Sequence, residues 1–259
     1  MDINIRLLAQ ELAEALHTRQ PVEPLSERFP ELTVDDAYAI QTEILRLRLE
    51  EGRRVIGRKI GLTSRAMQNM FNVHEPDFGF LLDDMVIING EIFPAGQMLQ
   101  PRCESEIAFL LKRDLTGPGI TTEDVLMATE AVMPSLEIVD SRVKDWKIKL
   151  VDSISDNGSS AMLVLGDAVH KPESIDLRLV GMVFEKNGEI LSTGAGAAVL
   201  GHPASAVAWL ANKMAQFETK LNAGEVVLSG AITAASPIAP GDYFKASFDR
   251  LGCVSVKFS

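Results

Sequence analysis

"PRCESEIAFLL", residues 101–111, sets two glutamates one residue apart, Glu104 and Glu106, at the mouth of an apolar run. On a strand, residues i and i+2 point the same way, about 6.5–7 Å apart along the backbone. Both carboxylates would therefore enter one volume, where they repel each other and where burying either one alone is costly. A divalent cation removes both penalties; Mg²⁺ takes oxygen ligands and keeps positions open for water or substrate. Taken alone, an E-x-E pair fits a strand whose alternate residues face solvent better than it fits a metal site. A third glutamate shifts the balance: Glu137 in "PSLEIVDSR" (134–142) stands beside Leu136, Ile138 and Val139, a poor setting for a solvated carboxylate.

Working outward, the chain has 259 residues, 46% hydrophobic and 24% charged, enough to bury a sizeable core. Its 25 Lys+Arg against 36 Asp+Glu leave a net charge of -11. That argues against nonspecific nucleic-acid binding and docking on an anionic membrane, both of which need a basic surface. A small anionic substrate stays possible, because one lysine or a metal reverses the field inside a pocket. Two cysteines, Cys103 and Cys253, make no disulfide framework, and His17, His74, His170 and His202 lie outside any zinc spacing. Any metal must be held by carboxylates. No run of 18 apolar residues occurs, and "MDINIRLLAQELAEALHTRQ" lacks a signal-peptide core, so the expected location is the cytoplasm.

Residues 1–53 read as a helical segment. Apolar positions in 3–16 follow helical spacing, and "TVDDAYAIQTEILRLRLEEG" opens with a capping box, Thr33 to Asp36, and stops at Gly52. Residues 54–259 read as an α+β core rich in antiparallel pairing. They begin with a short β-type run, "RVIGRKIGLTS", and a short helix over 64–71. "HEPDFGFLLDDMVI" is a loop entering a strand, "TTEDVLMATEAVM" (121–133) a second capped helix, and "SISDNGSS" (153–160) a polar loop. A hairpin turns at Asn187-Gly188, a helix covers 205–217, a strand 225–230, and a second hairpin ends the chain. "GAGAAVLG" (194–201) is glycine-rich but lacks the surroundings of a dinucleotide site and fits close backbone packing.

Taken in order, "GRKIGLTSRAMQ", "EPDFGFLLDDM", "QPRCESEIAFLLKRDLTGPG", "PSLEIVDSRVKDWKIKLVDSISDNGSS", "GAGAAVLGHPASAVAWLANKM" and "AGEVVLSG" resemble the fumarylacetoacetate hydrolase superfamily. More narrowly they resemble its hydratase/decarboxylase branch from the meta-cleavage degradation of aromatic compounds. The resemblance implies a mixed β-roll core, usually in homo-oligomers, and a Mg²⁺ or Mn²⁺ ion on Glu104, Glu106 and Glu137. It makes Lys59, Asp77 and Ser159 the expected catalytic groups, with Leu62 and Asn157 contacting substrate.

The branch holds two sibling reactions on 2-oxo or 2-hydroxy dienoic acids: hydration of 2-hydroxypenta-2,4-dienoate and decarboxylation of 4-oxalocrotonate. "EPDFG" and "RVKDWKIKLVD" are hydratase-like, whereas "SGAITAASPIAPGD" (229–242) is decarboxylase-like, and the hydratase reading is preferred on Asp77. A complex with the sibling decarboxylase or with the downstream aldolase is the implied partnership. A C–C hydrolase using a His/Glu pair is disfavoured, since His74 lies in a loop away from the glutamates in sequence.

Overall fold

The computed structural model describes residues 3–65, 68–69 and 72–259. Its strands are β1 (Val55–Gly61), β2 (Asp77–Leu82), β3 (Val86–Ile87), β4 (Ile92–Phe93), β5 (Arg102–Leu111), β6 (Thr129–Val139) and β7 (Ser160–Leu165). There follow β8 (Gly181–Lys186), β9 (Glu189–Ala195), β10 (Val226–Leu228), β11 (Ser236–Pro237), β12 (Tyr243–Phe248) and β13 (Gly252–Phe258). The larger sheet runs β2-β1-β10-β5-β6-β7-β3, with β11 on the end of β5; the smaller runs β4-β13-β12-β8-β9. Most pairs are antiparallel, and β1–β10, β3–β7 and β4–β13 are parallel. The architecture is the mixed α+β roll expected.

Period-2 alternation sorts β5 and β6 into two faces. Ile107, Phe109, Leu136 and Ile138 enter the core between the sheets, against Phe184, Phe244, Phe258 and the helix Pro203–Met214. Ala108, Ala131 and Met133 face the other way, under the helices Ile5–Thr18 and Val34–Glu50, through Leu8, Leu12, Ile40 and Ile44. Glu104, Glu106 and Glu137 continue that second face by the same alternation. The N-terminal helices thus roof the sheet face that carries the acidic residues.

Several local expectations are met. Thr33–Asp36 and Thr121–Asp124 both form capping boxes. The turn at Asn187-Gly188 has φ of 55° and 85°, the left-handed pair a two-residue hairpin needs. In the glycine-rich 194–201, a Cβ at Gly196 would lie 1.9 Å from the Leu177 carbonyl oxygen, so close packing is its role.

Two expectations need correcting. The helix over 121–133 ends at Ala128, and β6 starts at Thr129. Ala131 and Val132 pair with Leu110 and Phe109 of β5, and cross-strand pairing overrides the helix propensity of Ala, Met and Glu. "SISDNGSS" is no exposed loop: it finishes the helix Leu150–Ser155, makes a tight turn at Asn157–Ser159 and enters β7, buried for most of its length. The short helix expected over 64–71 includes residues 66, 67, 70 and 71, which lie outside the described residues.

Candidate active site

Glu104 stands directly opposite Glu137 across the β5–β6 ladder, and Glu106 opposite Ser135. Each of the three glutamates offers an oxygen, and these oxygens lie within 4.8 Å of one another. That is the spread expected of oxygens sharing one cation at roughly 2.0–2.6 Å from each. Glu106 Oε2 accepts the Gly230 N–H at 2.7 Å. Among the described residues, Glu106 Oε1 and Glu137 Oε1 are buried without a hydrogen bond, and Glu137 Oε2 is met by the Lys59 ammonium as an ion pair at 3.4 Å without one. Orphaned carboxylate oxygens in a dry cluster carry a large desolvation cost that an oxygen-seeking cation would relieve, so the donor set fits Mg²⁺ or Mn²⁺.

Lys59 comes from β1, two strands away from β5 across β10, and its Nζ lies 3.4 Å from Glu137 Oε2 with both side chains buried. Burial works against the ammonium charge, but the surrounding carboxylates, Glu137 foremost, outweigh it and hold Lys59 above the usual lysine range. Asp77 begins β2 and pairs with Gly61 across the ladder. A Cβ at Gly61 would fall 2.1 Å from Asp77 Oδ1 and 3.3 Å from Lys59 Nζ. The second glycine of "GRKIG" is therefore the clearance that the Asp77 carboxylate occupies and that the Lys59 ammonium borders.

Asn157, Gly158 and Ser159 adopt left-handed backbone in succession, with φ of 56°, 58° and 55°. For non-glycine residues this costs about 1–2 kcal/mol each, and the neighbours hold it in place. The Asn157 amide donates to the Phe80 carbonyl at 3.0 Å and accepts the Phe80 N–H at 2.7 Å. Ser159 Oγ donates to Asp156 at 3.0 Å, and Asp156 is ion-paired with buried Arg142. The turn lays Gly158 against Lys59, whose Nζ is 3.2 Å from where a Cβ would stand. Lys59, Asp77 and the glutamates are thus brought together. The side chains of Asn157 and Ser159, expected from sequence to contact substrate or act in catalysis, also hydrogen-bond within the scaffold. Leu62, just past β1, has φ of 56°, and its carbonyl accepts the Gln68 amide at 2.9 Å.

Sequence reading missed Ser153, whose hydroxyl donates to Asp77 at 2.6 Å, and Gln41, whose amide donates to the carbonyls of Phe78 and Ile154. Ser153 sits in a stretch that reads as polar loop. Gln41 occupies a core-facing position of an amphipathic helix, and that is its only signal.

Electrostatics gives a first testable expectation. Burial, and then the Glu137 charge, push the Glu104 carboxyl up from 4.5 to about 7 when no cation is present. Burial, Glu137 and Glu104 push Glu106 up as well, and burial raises Glu137 despite Lys59. A carboxyl raised on folding contributes stability in full below its unfolded value and loses it as pH rises through the folded one. Chelated protein should therefore lose thermal stability as pH rises from about 4.5 to about 7, the two values of Glu104, and saturating Mg²⁺ should flatten or reverse that slope. Scanning calorimetry with and without chelator checks it; a metal-free melting temperature that climbs over this range would contradict the buried, repelling cluster.

Three converging carboxylates, Glu106 and Glu137 buried and Glu104 half-buried, with Lys59 and Asp77 beside them on a β-roll, are the equipment of a divalent-metal enzyme. The model of the fumarylacetoacetate hydrolase C-terminal family matches residues 58–259, and the chain belongs to that family. It is 49% identical to a 2-hydroxyhexa-2,4-dienoate hydratase of Comamonas testosteroni, over 98% of this chain and 97% of that one. It is 53% identical to a 2-hydroxypent-2,4-dienoate hydratase of Pseudomonas putida, over 82% and 96%. Among solved structures, 4-oxalocrotonate decarboxylase from Pseudomonas putida G7, complexed with magnesium and adipate, superposes with a TM-score of 0.96 at 38% identity, over 98% of this chain and 97% of that one.

Proposed function

We propose that this chain is a lyase that hydrates 2-hydroxypenta-2,4-dienoate to 4-hydroxy-2-oxopentanoate in the meta-cleavage degradation of aromatic compounds. Glu104, Glu106 and Glu137 would hold a Mg²⁺ ion. When bound, that ion supplies Lewis acidity for a 2-oxo acid, favouring electron flow toward C2. Lys59 and Asp77 carry the protons. The dienol oxygen gives up its proton and C5 gains one, which leaves the 2-oxo-3-enoate with an electrophilic C4. Water then adds its oxygen at C4, and a proton goes to C3. Asp77 is the acceptor for the water proton, and Lys59 is the donor held beside it. Asn157 and Ser159 act by shaping the turn over Lys59, and Leu62 borders the substrate space from the end of β1.

The observation that carries the reading is Asp77 Oδ1: buried, without a hydrogen-bond partner among the described residues, and sharing the space above Gly61 with the Lys59 ammonium. Water addition needs such a basic atom; loss of CO₂ from a distal carboxylate does not. The decarboxylase-like segment 229–242 meets β5 through its backbone, with Ser229, Gly230 and Ile232 donating to Ile107, Glu106 and Ser105, a support that serves either reaction. The residues 1–53 act as a roof and 54–259 as the catalytic core. Exposed Ile190 and Leu191 on the edge strand β9, with Leu179 and Tyr243 exposed as well, support homo-oligomeric assembly or docking with the sibling decarboxylase or downstream aldolase. Two unpaired cysteines suit the reducing cytoplasm.

Supplying purified protein and Mg²⁺ with each candidate substrate tests the assignment. The diene absorbance of 2-hydroxypentadienoate should disappear with formation of 4-hydroxy-2-oxopentanoate, while 4-oxalocrotonate should release no CO₂. Release of CO₂ without hydration would transfer the chain to the decarboxylase reading.

A further inference from the structure

Asp77 is gripped on one side only. The Ser153 hydroxyl donates to Asp77 Oδ2 at 2.6 Å, and both residues are buried. The other oxygen, Oδ1, has no hydrogen-bond partner among the described residues and leans over Gly61 toward Lys59. A carboxylate tethered by one oxygen has a fixed plane, so the free oxygen points in one direction instead of two.

Ser153 is itself immobilised. Its helix Leu150–Ser155 is anchored through Asp152, which accepts the Lys149 N–H at 2.8 Å and the Ser26 N–H at 2.9 Å. The Gln41 amide donates to the carbonyls of Phe78 and Ile154 at 2.8 and 2.9 Å. Phe78 follows Asp77 and Ile154 follows Ser153, so one buried side chain ties the two elements together next to the Ser153–Asp77 bond. A separation of 2.6 Å is usual for a hydroxyl donating to a carboxylate, and the backbone on both sides of it is held in place.

We infer that Ser153 is a positioning residue for proton transfer: it occupies Asp77 Oδ2 so that Oδ1 alone faces Lys59 and the reacting carbons. The inference rests on the proposed role of Asp77, acts through that residue, and assigns Ser153 no contact with substrate. A hydroxyl is the group the site calls for, since an ionised carboxylate only accepts and needs a neutral donor that brings no second charge.

Four variants assayed on 2-hydroxypentadienoate test it: Ser153→Ala, Ser153→Thr, Asp77→Asn, and Ser153→Ala combined with Asp77→Asn. Ser153→Ala should lower kcat by ~10–100-fold, the range found when a supporting hydrogen bond to a site group is lost. KM and Mg²⁺ affinity should stay within about twofold, since neither depends on the Asp77 plane. Ser153→Thr, which keeps the hydroxyl, should recover kcat to within a few-fold. Added to Asp77→Asn, Ser153→Ala should cost nothing more, the non-additivity of two residues acting as one unit. Should Ser153→Ala fail to fold, Ser153→Cys, close in volume but a weak donor, is read in the same way. Wild-type kcat for Ser153→Ala beside a crippled Asp77→Asn would overturn the inference alone. A full Ser153→Ala loss on top of Asp77→Asn would do the same. Wild-type turnover by Asp77→Asn would instead remove Asp77 from the chemistry, and the inference with it.

Discussion

Glu106→Gln should lower turnover on the order of 10³-fold and weaken Mg²⁺ binding, while raising the melting temperature of the metal-free protein. The two signs come from one change. Glu106 Oε2 is committed to the Gly230 N–H, so Oε1 is the oxygen left to face a cation. In the glutamine the carbonyl oxygen keeps the Gly230 bond and the NH₂ group turns toward the ion, replacing a ligand by a donor. Loss of several kcal/mol of electrostatic stabilisation, at about 1.4 kcal/mol per tenfold, sets the size of the activity change. Without metal, the same substitution removes from the cluster a buried carboxyl that burial, and then the charges of Glu137 and Glu104, hold well above the ordinary range. Isothermal titration with Mg²⁺, steady-state kinetics and a chelated melt measure the three effects. Full activity at limiting metal would exclude Glu106 as a ligand, and a lower metal-free melting temperature would mean that its bond to Gly230 matters more than repulsion.

Lys59→Met should damage both function and fold. The ammonium lies 3.4 Å from Glu137 and near Asp77, a buried positive charge set against the acidic cluster. Removing one partner of a buried ion pair costs about 3–5 kcal/mol, because the remaining charge is left uncompensated. In chelated protein near neutral pH the denaturant midpoint should fall accordingly. Saturating Mg²⁺ should recover much of that loss, since the cation takes over part of the neutralisation. Turnover should not recover: loss of a positioned proton donor costs ~10²–10⁴-fold whatever the metal. Metal-rescued stability together with near-wild-type rate would show Lys59 to be a counter-ion only.

The three acidic residues proposed as ligands are legible in the sequence because strand geometry has a period of two. Glu104 and Glu106 must share a face if "CESEIAFLL" is a strand, and Glu137 must share a face with Met133 and Ala131 on its own. The helix caps and the Asn187-Gly188 turn are legible for a similar reason: each is decided by near neighbours in the chain. The misread helix over 121–133 marks the limit of such reasoning. "ATEAVM" has sound helix propensity, yet most of it becomes strand because β5, from earlier in the chain, offers a pairing partner. Asn157 and Ser159 mark another limit. Their polar character is visible, but the bonds by which they also brace a turn depend on Phe80 and Asp156, partners that only folding supplies.

Alternation and capping along the chain determined the α+β class, the helical beginning, and which carboxylates fall on one side of their strands, because these are properties of consecutive residues. Only the folded sheet decided that Glu104 lies across from Glu137, that Lys59 reaches them over β10, and that Ser153 and Gln41 brace Asp77. The long-range hydrogen bonds that fix Asp77 and its supports span from 37 to 126 residues of sequence. Register and burial arise only when distant strands and helices compete for the same interior, and no local pattern encodes the outcome of that competition.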